Sequence, residues 1–129
     1  MPETKTRNSA VIAIVDDDES FRAALATLLR SSGYRARTYS DAQDFLSSDG
    51  PCQAHCLISD IQMPGMSGFE LHDRLVLLGL RLPTVFITAY PEAPSLIGNL
   101  CPALVACLLP KPFEADKLLI CVESALRRR

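Results

Sequence analysis

Five polar residues stand just beyond short apolar runs of the chain, and their types suit phosphoryl or metal chemistry. They are Asp16, Asp17, Asp60, Thr88 and Lys111. In an open parallel sheet, functional groups gather outside the carboxyl ends of the strands. If the apolar runs are such strands, three acids, one hydroxyl and one amine converge at a single edge of the sheet.

A cluster of three carboxylates favours a bound divalent cation. Two carboxylates about 4 Å apart repel each other by about 4 kcal/mol at an effective dielectric constant of about 20. Oxygen ligands alone point to magnesium, whose octahedral shell takes one or two carboxylates, a backbone carbonyl and water. That shell leaves a position free for a phosphoryl oxygen, so the acids predict a Mg²⁺ site at this edge.

The elements that must position these residues alternate between strands and helices. Apolar runs predict strands over residues 10–15, 35–39, 55–59, 84–87 and 103–109. Helical spacing of apolar residues predicts four helices, with the following inner positions: Phe21, Leu25, Leu28 and Leu29; Phe45 and Leu46; Phe69, Leu71, Leu75 and Leu78; and Leu118, Cys121, Val122 and Leu126. This alternation implies an α/β fold with right-handed crossovers and a doubly wound parallel sheet.

The segment between the fourth and fifth strands interrupts the alternation. Pro91, Pro94, Gly98 and Pro102 fall within it, and a proline inside a helix costs about 3 kcal/mol. We therefore expect a degenerate fourth helix of one or two turns around residues 95–100.

Length and composition describe one domain. The chain has 129 residues, of which 48% are hydrophobic, and 13 basic against 15 acidic residues give a formal net charge of −2. We expect a polar lead over residues 1–9 and one folded domain over residues 10–129. No apolar stretch approaches the roughly 20 residues that cross a bilayer, and the opening lacks a signal-peptide core. A cytoplasmic protein with no membrane partner and no direct nucleic-acid partner is expected.

The five cysteines allow reduced thiols, disulfides or a metal site. They are Cys52, Cys56, Cys101, Cys107 and Cys121. Because their number is odd and no secretion signal is present, we expect reduced thiols that pack as small hydrophobic residues. Cys52, His55 and Cys56 lie close in the sequence, but structural zinc normally takes four ligands, which makes zinc the less favoured alternative.

Four segments in order, each at the end of a predicted strand, carry a family resemblance. They read IVDDD at residues 14–18, ISDIQMPGMSG at 58–68, ITA at 87–89 and KPF at 111–113. Together they resemble the CheY-like receiver domain of two-component response regulators, over about residues 10–126. The resemblance implies a flavodoxin-like (βα)5 fold with strand order 2-1-3-4-5.

The resemblance also assigns roles. Asp60 would accept a phosphoryl group from a sensor histidine kinase, a phosphotransfer protein or a small phosphodonor. Asp16, Asp17, Asp60 and the backbone carbonyl of Gln62 would hold Mg²⁺, and Thr88 and Lys111 would contact the phosphoryl oxygens. Such a domain is a signalling module that catalyses only its own phosphorylation and dephosphorylation, and phosphorylation shifts a population between two conformational states for partner binding.

Two positions depart from the family pattern. The family usually places an aromatic switch residue three positions before the lysine, where this chain has Leu108. Pro110 removes a backbone donor beside the site. Tyr90, two residues after Thr88, is a hypothetical substitute for the missing aromatic.

Two other functions and several partners stay open at this point. The chain is alternatively a phosphorylation-independent scaffold that binds a partner through the fourth-helix segment, the fifth strand and the last helix. A small phosphatase is disfavoured, because Gln62 stands where a second carboxylate is needed after Asp60. The chain resembles a stand-alone receiver, and a regulator trimmed to its receiver would look the same. The output protein is not identified, and a homodimer is an open alternative.

Overall fold

The computed structural model describes residues 10–89, 104–111 and 113–127, and its centre is one parallel sheet. The strands are β1 (Val11–Val15), β2 (Arg35–Tyr39), β3 (Cys56–Asp60), β4 (Thr84–Thr88) and β5 (Val105–Pro110). They pair in the order β2-β1-β3-β4-β5, and every pairing is parallel. The predicted flavodoxin-like fold and its strand order are confirmed.

Within the described residues, five helices connect or follow the strands. They are α1 (Glu19–Ser31), α2 (Ala42–Leu46), α3 (Gly50–Gln53), α4 (Gly68–Leu77) and α5 (Ala115–Arg127). The sequence places the starts of three of them through capping residues, because the side chains of Asp18, Asp41 and Ser67 each accept a hydrogen bond from a backbone N–H of the first turn. The short α3 was not predicted.

The core lies on both faces of the sheet, as the apolar β1 run predicts. Ile12 and Ile14 pack in the cluster beneath α1 and α5, whereas Ala13 and Val15 pack in the cluster beneath α2 and α4. Alternate residues of a strand point to opposite faces, so a strand that is buried on both faces must be apolar throughout. The polar residues that follow β1 are therefore held at the carboxyl edge by a strand that is paired on both sides.

One predicted core position of α4 is wrong. Leu78 was expected on the inner face, but α4 ends at Leu77 and Leu78 is 64% exposed. The turn that follows has Gly79 at a φ of 80°, in the left-handed region that suits glycine. On the inner face of α4 the structure instead buries His72 beside Leu71 and Leu75.

The expectation that all cysteines are reduced is also wrong. Cys107 of β5 and Cys121 of α5 form a disulfide, with their Cα atoms 5.8 Å apart. Because α5 packs on β5, residues that are 14 positions apart in sequence come within bonding range. Cys52 and Cys56 are free thiols.

The degenerate fourth helix falls within residues 90–103, which lie outside the described part of the chain, and so does the polar lead at residues 1–9. The fifth strand begins at Val105, two residues later than predicted. None of the helices found in residues 10–89, 104–111 and 113–127 has both the length and the hydropathy of a membrane span.

Candidate functional site

Asp16 and Asp17 leave the sheet at the end of β1. The side chain of Asp16 is buried, whereas Asp17 is exposed. Asp16 Oδ1 accepts a hydrogen bond of 2.8 Å from the backbone N–H of Asp18, and its backbone carbonyl accepts one of 2.6 Å from Arg22 Nη1. Asp16 is thus fixed by the turn that starts α1.

Asp60 is the last residue of β3, whose five residues are all buried. Its Oδ1 atom accepts a hydrogen bond of 3.3 Å from the backbone N–H of Gln62. The turn then folds back on itself, because Gly68 N donates to the Ile61 carbonyl at 2.8 Å and a Cβ at position 68 would collide with the Asp60 carbonyl oxygen. Gly68 is therefore a packing requirement for the position of Asp60.

One carboxylate oxygen from each of Asp16, Asp17 and Asp60 lies within 4.8 Å of the others. Burial raises the pKa of Asp16 and the pKa of Asp60 above their usual range, against the opposing effects of nearby backbone N–H groups and the Lys111 ammonium. The cost of ionising these acids is therefore only partly offset by the protein. Oxygen donors in that state fit a hard divalent cation such as Mg²⁺.

Lys111 brings the one cation that the structure shows between these acids. Its Nζ atom lies 3.5 Å from Oδ2 of Asp16 and 3.5 Å from Oδ2 of Asp60. We call Asp16, Asp17, Asp60 and Lys111 the acid pocket. Lys111 reaches it from the end of β5, where its backbone N–H donates to the Thr88 carbonyl at 2.7 Å.

Thr88 ends β4, where it is buried, and β4 lies next to β3 with Ile87 opposite Asp60. The predicted site residues Asp16, Asp17, Asp60, Thr88 and Lys111 thus share one edge of the sheet. Gln62 follows directly in the turn, and the role of its carbonyl as a metal ligand stays a prediction.

Pro110 lacks a backbone N–H beside the site, but the pairing of β5 with β4 is kept. It lies opposite Thr88 at the end of the edge strand β5. The N–H of Lys111 faces Thr88, so the nitrogen of Pro110 faces the open side, because successive residues of a strand alternate in direction. An edge strand tolerates proline at such a position.

Leu108 is the residue at which the family resemblance implies an aromatic, an assignment that stays a prediction. It packs, with Phe69 and Val105, against the buried side chains of Ile61 and Phe86. We call these five residues the Phe86 cluster. The rings of Phe86 and Phe69 meet edge to face with centroids 5.1 Å apart. The sequence analysis did not single out Phe86 as an aromatic neighbour, and Tyr90 lies outside the described residues.

Phe21 is a second residue that the sequence analysis placed only as a helix core position. Its ring centroid is 4.1 Å from Lys111 Nζ. The only sequence signal for this contact is an aromatic residue in the first turn of the helix that follows the acid pair. That signal is informative only once Lys111 is known to lie at the same edge of the sheet.

The zinc alternative does not fit the structure. In the described ranges, the three acids form the group with metal-ligand spacing, and Cys52, His55 and Cys56 form none. His55 Nδ1 instead accepts a hydrogen bond of 2.8 Å from the backbone of Val11. Burial raises the pKa of the Cys56 thiol to about 12, which disfavours the thiolate that zinc requires.

Comparison with known proteins matches residues 12–123 to the response regulator receiver domain. Response regulator protein TmoT of Ectopseudomonas mendocina is 36% identical over 118 residues, which are 92% of this chain and 53% of that protein. The structure of response regulator StyR has a TM-score of 0.85 at 40% identity and covers 92% of this chain and 60% of that one. Response regulator protein TrrA from Thermotoga maritima, in complex with Mg²⁺-BeF, has a TM-score of 0.79 at 26% identity over 91% and 99% of the two chains.

The chain spans about half the length of the curated relatives it matches. The family match covers nearly all of the sheet and every residue of the acid pocket.

Proposed function

The chain belongs to the response regulator receiver domain family, a phosphoacceptor family of two-component signalling, and on that premise we propose that Asp60 is the residue that accepts the phosphoryl group. A carboxylate oxygen of Asp60 attacks phosphorus in line with the bond to the leaving group. The P–O bond to Asp60 forms as the P–N bond of a phosphohistidine, or the P–O bond of a small phosphodonor, breaks. The leaving imidazole or carboxylate keeps the bonding pair of electrons.

The other residues of the edge act on the charge that builds during this transfer. The Lys111 ammonium already lies at 3.5 Å from Asp60 and supplies positive charge for a phosphoryl oxygen. The Thr88 hydroxyl, one position beyond the residue opposite Asp60, donates a hydrogen bond to another phosphoryl oxygen. Both contacts offset the negative charge on the phosphoryl oxygens and therefore favour transfer. Because they form with the phosphoryl group on Asp60, they also signal that transfer is complete.

Asp16, Asp17, Asp60 and the Gln62 carbonyl are the proposed ligands of Mg²⁺. Bound Mg²⁺ would supply Lewis-acid stabilisation of the transferred group and offset the repulsion of the three carboxylates. The observation that supports this set is the proximity of three oxygen donors, two of them on buried acids whose pKa is raised.

The phosphoryl donor is proposed to be a sensor histidine kinase or a phosphotransfer protein. Phosphorylation then biases the conformation of the edge formed by β4, β5 and α5 for binding of an output partner. The family match and the complete acid pocket do not favour the phosphorylation-independent scaffold.

The observation that carries the proposal is the convergence of Asp60, two further acids and Lys111 within one pocket. Incubation with acetyl phosphate and Mg²⁺, followed by peptide mapping in a mass spectrometer, should place one phosphoryl group on Asp60. Asp60→Asn should abolish labelling and retain the fold by circular dichroism. The matched control Asp73→Asn, an exposed acid of α4, should be labelled like the unmodified chain. Labelling of Asp60→Asn at another residue would overturn the assignment.

A further inference from the structure

We infer that Phe21 is a positioning residue for Lys111 in the phosphorylation of Asp60, an inference that rests on the proposed function. The Lys111 Nζ atom lies 4.1 Å from the centroid of the Phe21 ring and 3.5 Å from a carboxylate oxygen of both Asp16 and Asp60. The face of an aromatic ring attracts an ammonium through its quadrupole and excludes water from that side. The ammonium is therefore enclosed by two carboxylates and one ring.

The ring itself is fixed from two directions. On the backbone side, the N–H of Phe21 donates to Asp18 Oδ1 at 3.2 Å, and the N–H of Asp18 donates to Asp16 Oδ1 at 2.8 Å. On the side-chain side, the ring of Phe113 meets the Phe21 ring edge to face, with centroids 5.9 Å apart. These contacts link Asp16 through the N-cap residue Asp18 to Phe21, and Lys111 contacts both the Phe21 ring and Asp16.

Lys111 needs such a guide because its ionic contacts are long. Charge-assisted hydrogen bonds of an ammonium are usually about 2.7–2.9 Å, whereas both of its contacts here are 3.5 Å. Its side chain is 22% exposed and sits on a flexible four-carbon stem, so water competes for the ammonium. The Phe21 ring biases the stem towards the pocket, which places the positive charge before phosphoryl transfer begins.

The test compares the rate of Asp60 labelling by acetyl phosphate in Phe21→Leu and Phe21→Tyr. Loss of the ring in Phe21→Leu should slow labelling about three- to tenfold, while Phe21→Tyr, which keeps a ring face, should stay within about twofold. Affinity for Mg²⁺ alone should be the same in both variants, since neither changes a carboxylate. A fall in Mg²⁺ affinity that matches the fall in rate would indicate general distortion and overturn the inference.

Two controls separate positioning from packing. Leu28→Ala removes apolar volume seven residues further along α1, about 10 Å from Phe21, and should leave the labelling rate unchanged. In a Lys111→Gln background, Phe21→Leu should cause no additional loss, because the ring then has no ammonium to guide. An additional loss in that background, or an equal loss in Leu28→Ala, would contradict the inference.

A spectroscopic readout makes the test independent of activity. The Lys111 ε-methylene protons should show an upfield ring-current shift in the unmodified chain and in Phe21→Tyr, and none in Phe21→Leu. If the unmodified chain lacks that shift, the contact does not exist in solution and the inference fails even where Phe21→Leu does not fold. If the unmodified chain is not labelled at Asp60, the proposed function fails, whatever the ring-current shift shows.

Discussion

The acid pocket lies at the carboxyl edge of the sheet, whereas the Phe86 cluster contains residues from within β4 and β5, and the two regions differ in chemical character. The acid pocket holds three acids and a lysine at distances that leave charge only partly compensated. The Phe86 cluster is apolar and packed, with Phe86 fully buried and Leu108 against it. The first region carries four of the residues that we propose for phosphoryl transfer, and the second carries the aliphatic Leu108 at the position where the family resemblance implies an aromatic.

This difference separates two abilities that one domain combines. Under the proposed function, accepting a phosphoryl group depends on the acid pocket and on Thr88, which ends β4 at the same edge of the sheet. Transmitting that event requires the region of β4, β5 and α5 to have two arrangements, and a switch needs differential contacts in each. In this chain, β5 is bonded to α5 by the Cys107–Cys121 disulfide beside Leu108. We therefore expect that substitutions in the two regions impair phosphorylation and the transmission of the signal separately.

Lys111→Gln should give the largest effect on the rate of Asp60 labelling, and this effect arises within the acid pocket. Loss of the ammonium removes the charge that offsets the phosphoryl oxygens, so Asp60 labelling should slow about 100-fold. Lys117→Gln, an exposed lysine of α5, is the matched control and should label normally. A rate for Lys111→Gln within about threefold of the unmodified chain would show that the pocket works without its cation.

Reduction of the Cys107–Cys121 disulfide should affect stability and not labelling. Opening a loop of 14 residues restores entropy to the unfolded chain, so the free energy of unfolding should fall by about 3 kcal/mol. Chemical denaturation with and without dithiothreitol measures this difference, with Cys52→Ser as the control. An unchanged midpoint on reduction would mean that the cross-link contributes nothing.

Leu108→Tyr places an aromatic at position 108, beside Phe86 and Phe69, and sharpens the comparison. Labelling of Asp60 should be unchanged, because the pocket is untouched. The amide chemical-shift changes that a phosphoryl mimic causes should reach further into α5 than in the unmodified chain. Leu108→Ala, which removes the contact without adding a ring, should not extend them. Equal spread in all three proteins would show that position 108 does not carry the signal.

Acid should weaken the packing around Phe86, because the His72 ring meets the Phe86 ring edge to face with centroids 5.6 Å apart. The Thr84 hydroxyl donates its proton to the Leu82 carbonyl, so His72 Nδ1 donates to Thr84 and Nε2 is left buried without a hydrogen-bond partner among the described residues. Burial lowers the pKa of His72 below the 6.5 of an unfolded chain. As pH falls below about 6.5, the imidazole of His72 therefore binds a proton in the unfolded state but not in the native state.

The stability contributed by neutral His72 is complete above pH 6.5 and falls by at most about 1.4 kcal/mol per pH unit until the native pKa is reached. Asp16 and Asp60 act in the other direction, because their raised native pKa values make the protein more stable as the acids become protonated. The free energy of unfolding is measured against pH for the unmodified chain and for His72→Gln. The difference between the two profiles gives the contribution of His72. A variant with the same slope as the unmodified chain between pH 6.5 and 5.5 would contradict this account.

The strands and the acid pocket were predictable because their signals are local. The run from Val11 to Val15 is apolar on every position and ends at an acid, and the capping box of Ser67 and Glu70 marks the start of α4. Parallel pairing then brings the strand ends together without further information.

The features that were missed depend on contacts between distant residues. The bond between Cys107 and Cys121 requires the packing of α5 on β5, and the contact of Phe21 with Lys111 joins the first helix to the last strand. The burial of His72 depends on the packing of α4 on β4, where His72 contacts Thr84. The exposure of Leu78 depends on where α4 ends, which helical periodicity fixes only within one or two residues.

Titration with Mg²⁺ and then with beryllofluoride, a phosphoryl mimic, tests the central claim most directly when backbone amide shifts are recorded at each step. The account predicts that Mg²⁺ alone shifts the amides of Asp17 and Asp60, and that beryllofluoride then adds saturable shifts at Asp60, Thr88 and Lys111 that require Mg²⁺ and disappear in Asp60→Asn. Beryllofluoride-dependent shifts that are absent, or that persist in Asp60→Asn, would contradict the claim that the acid pocket accepts a phosphoryl group on Asp60.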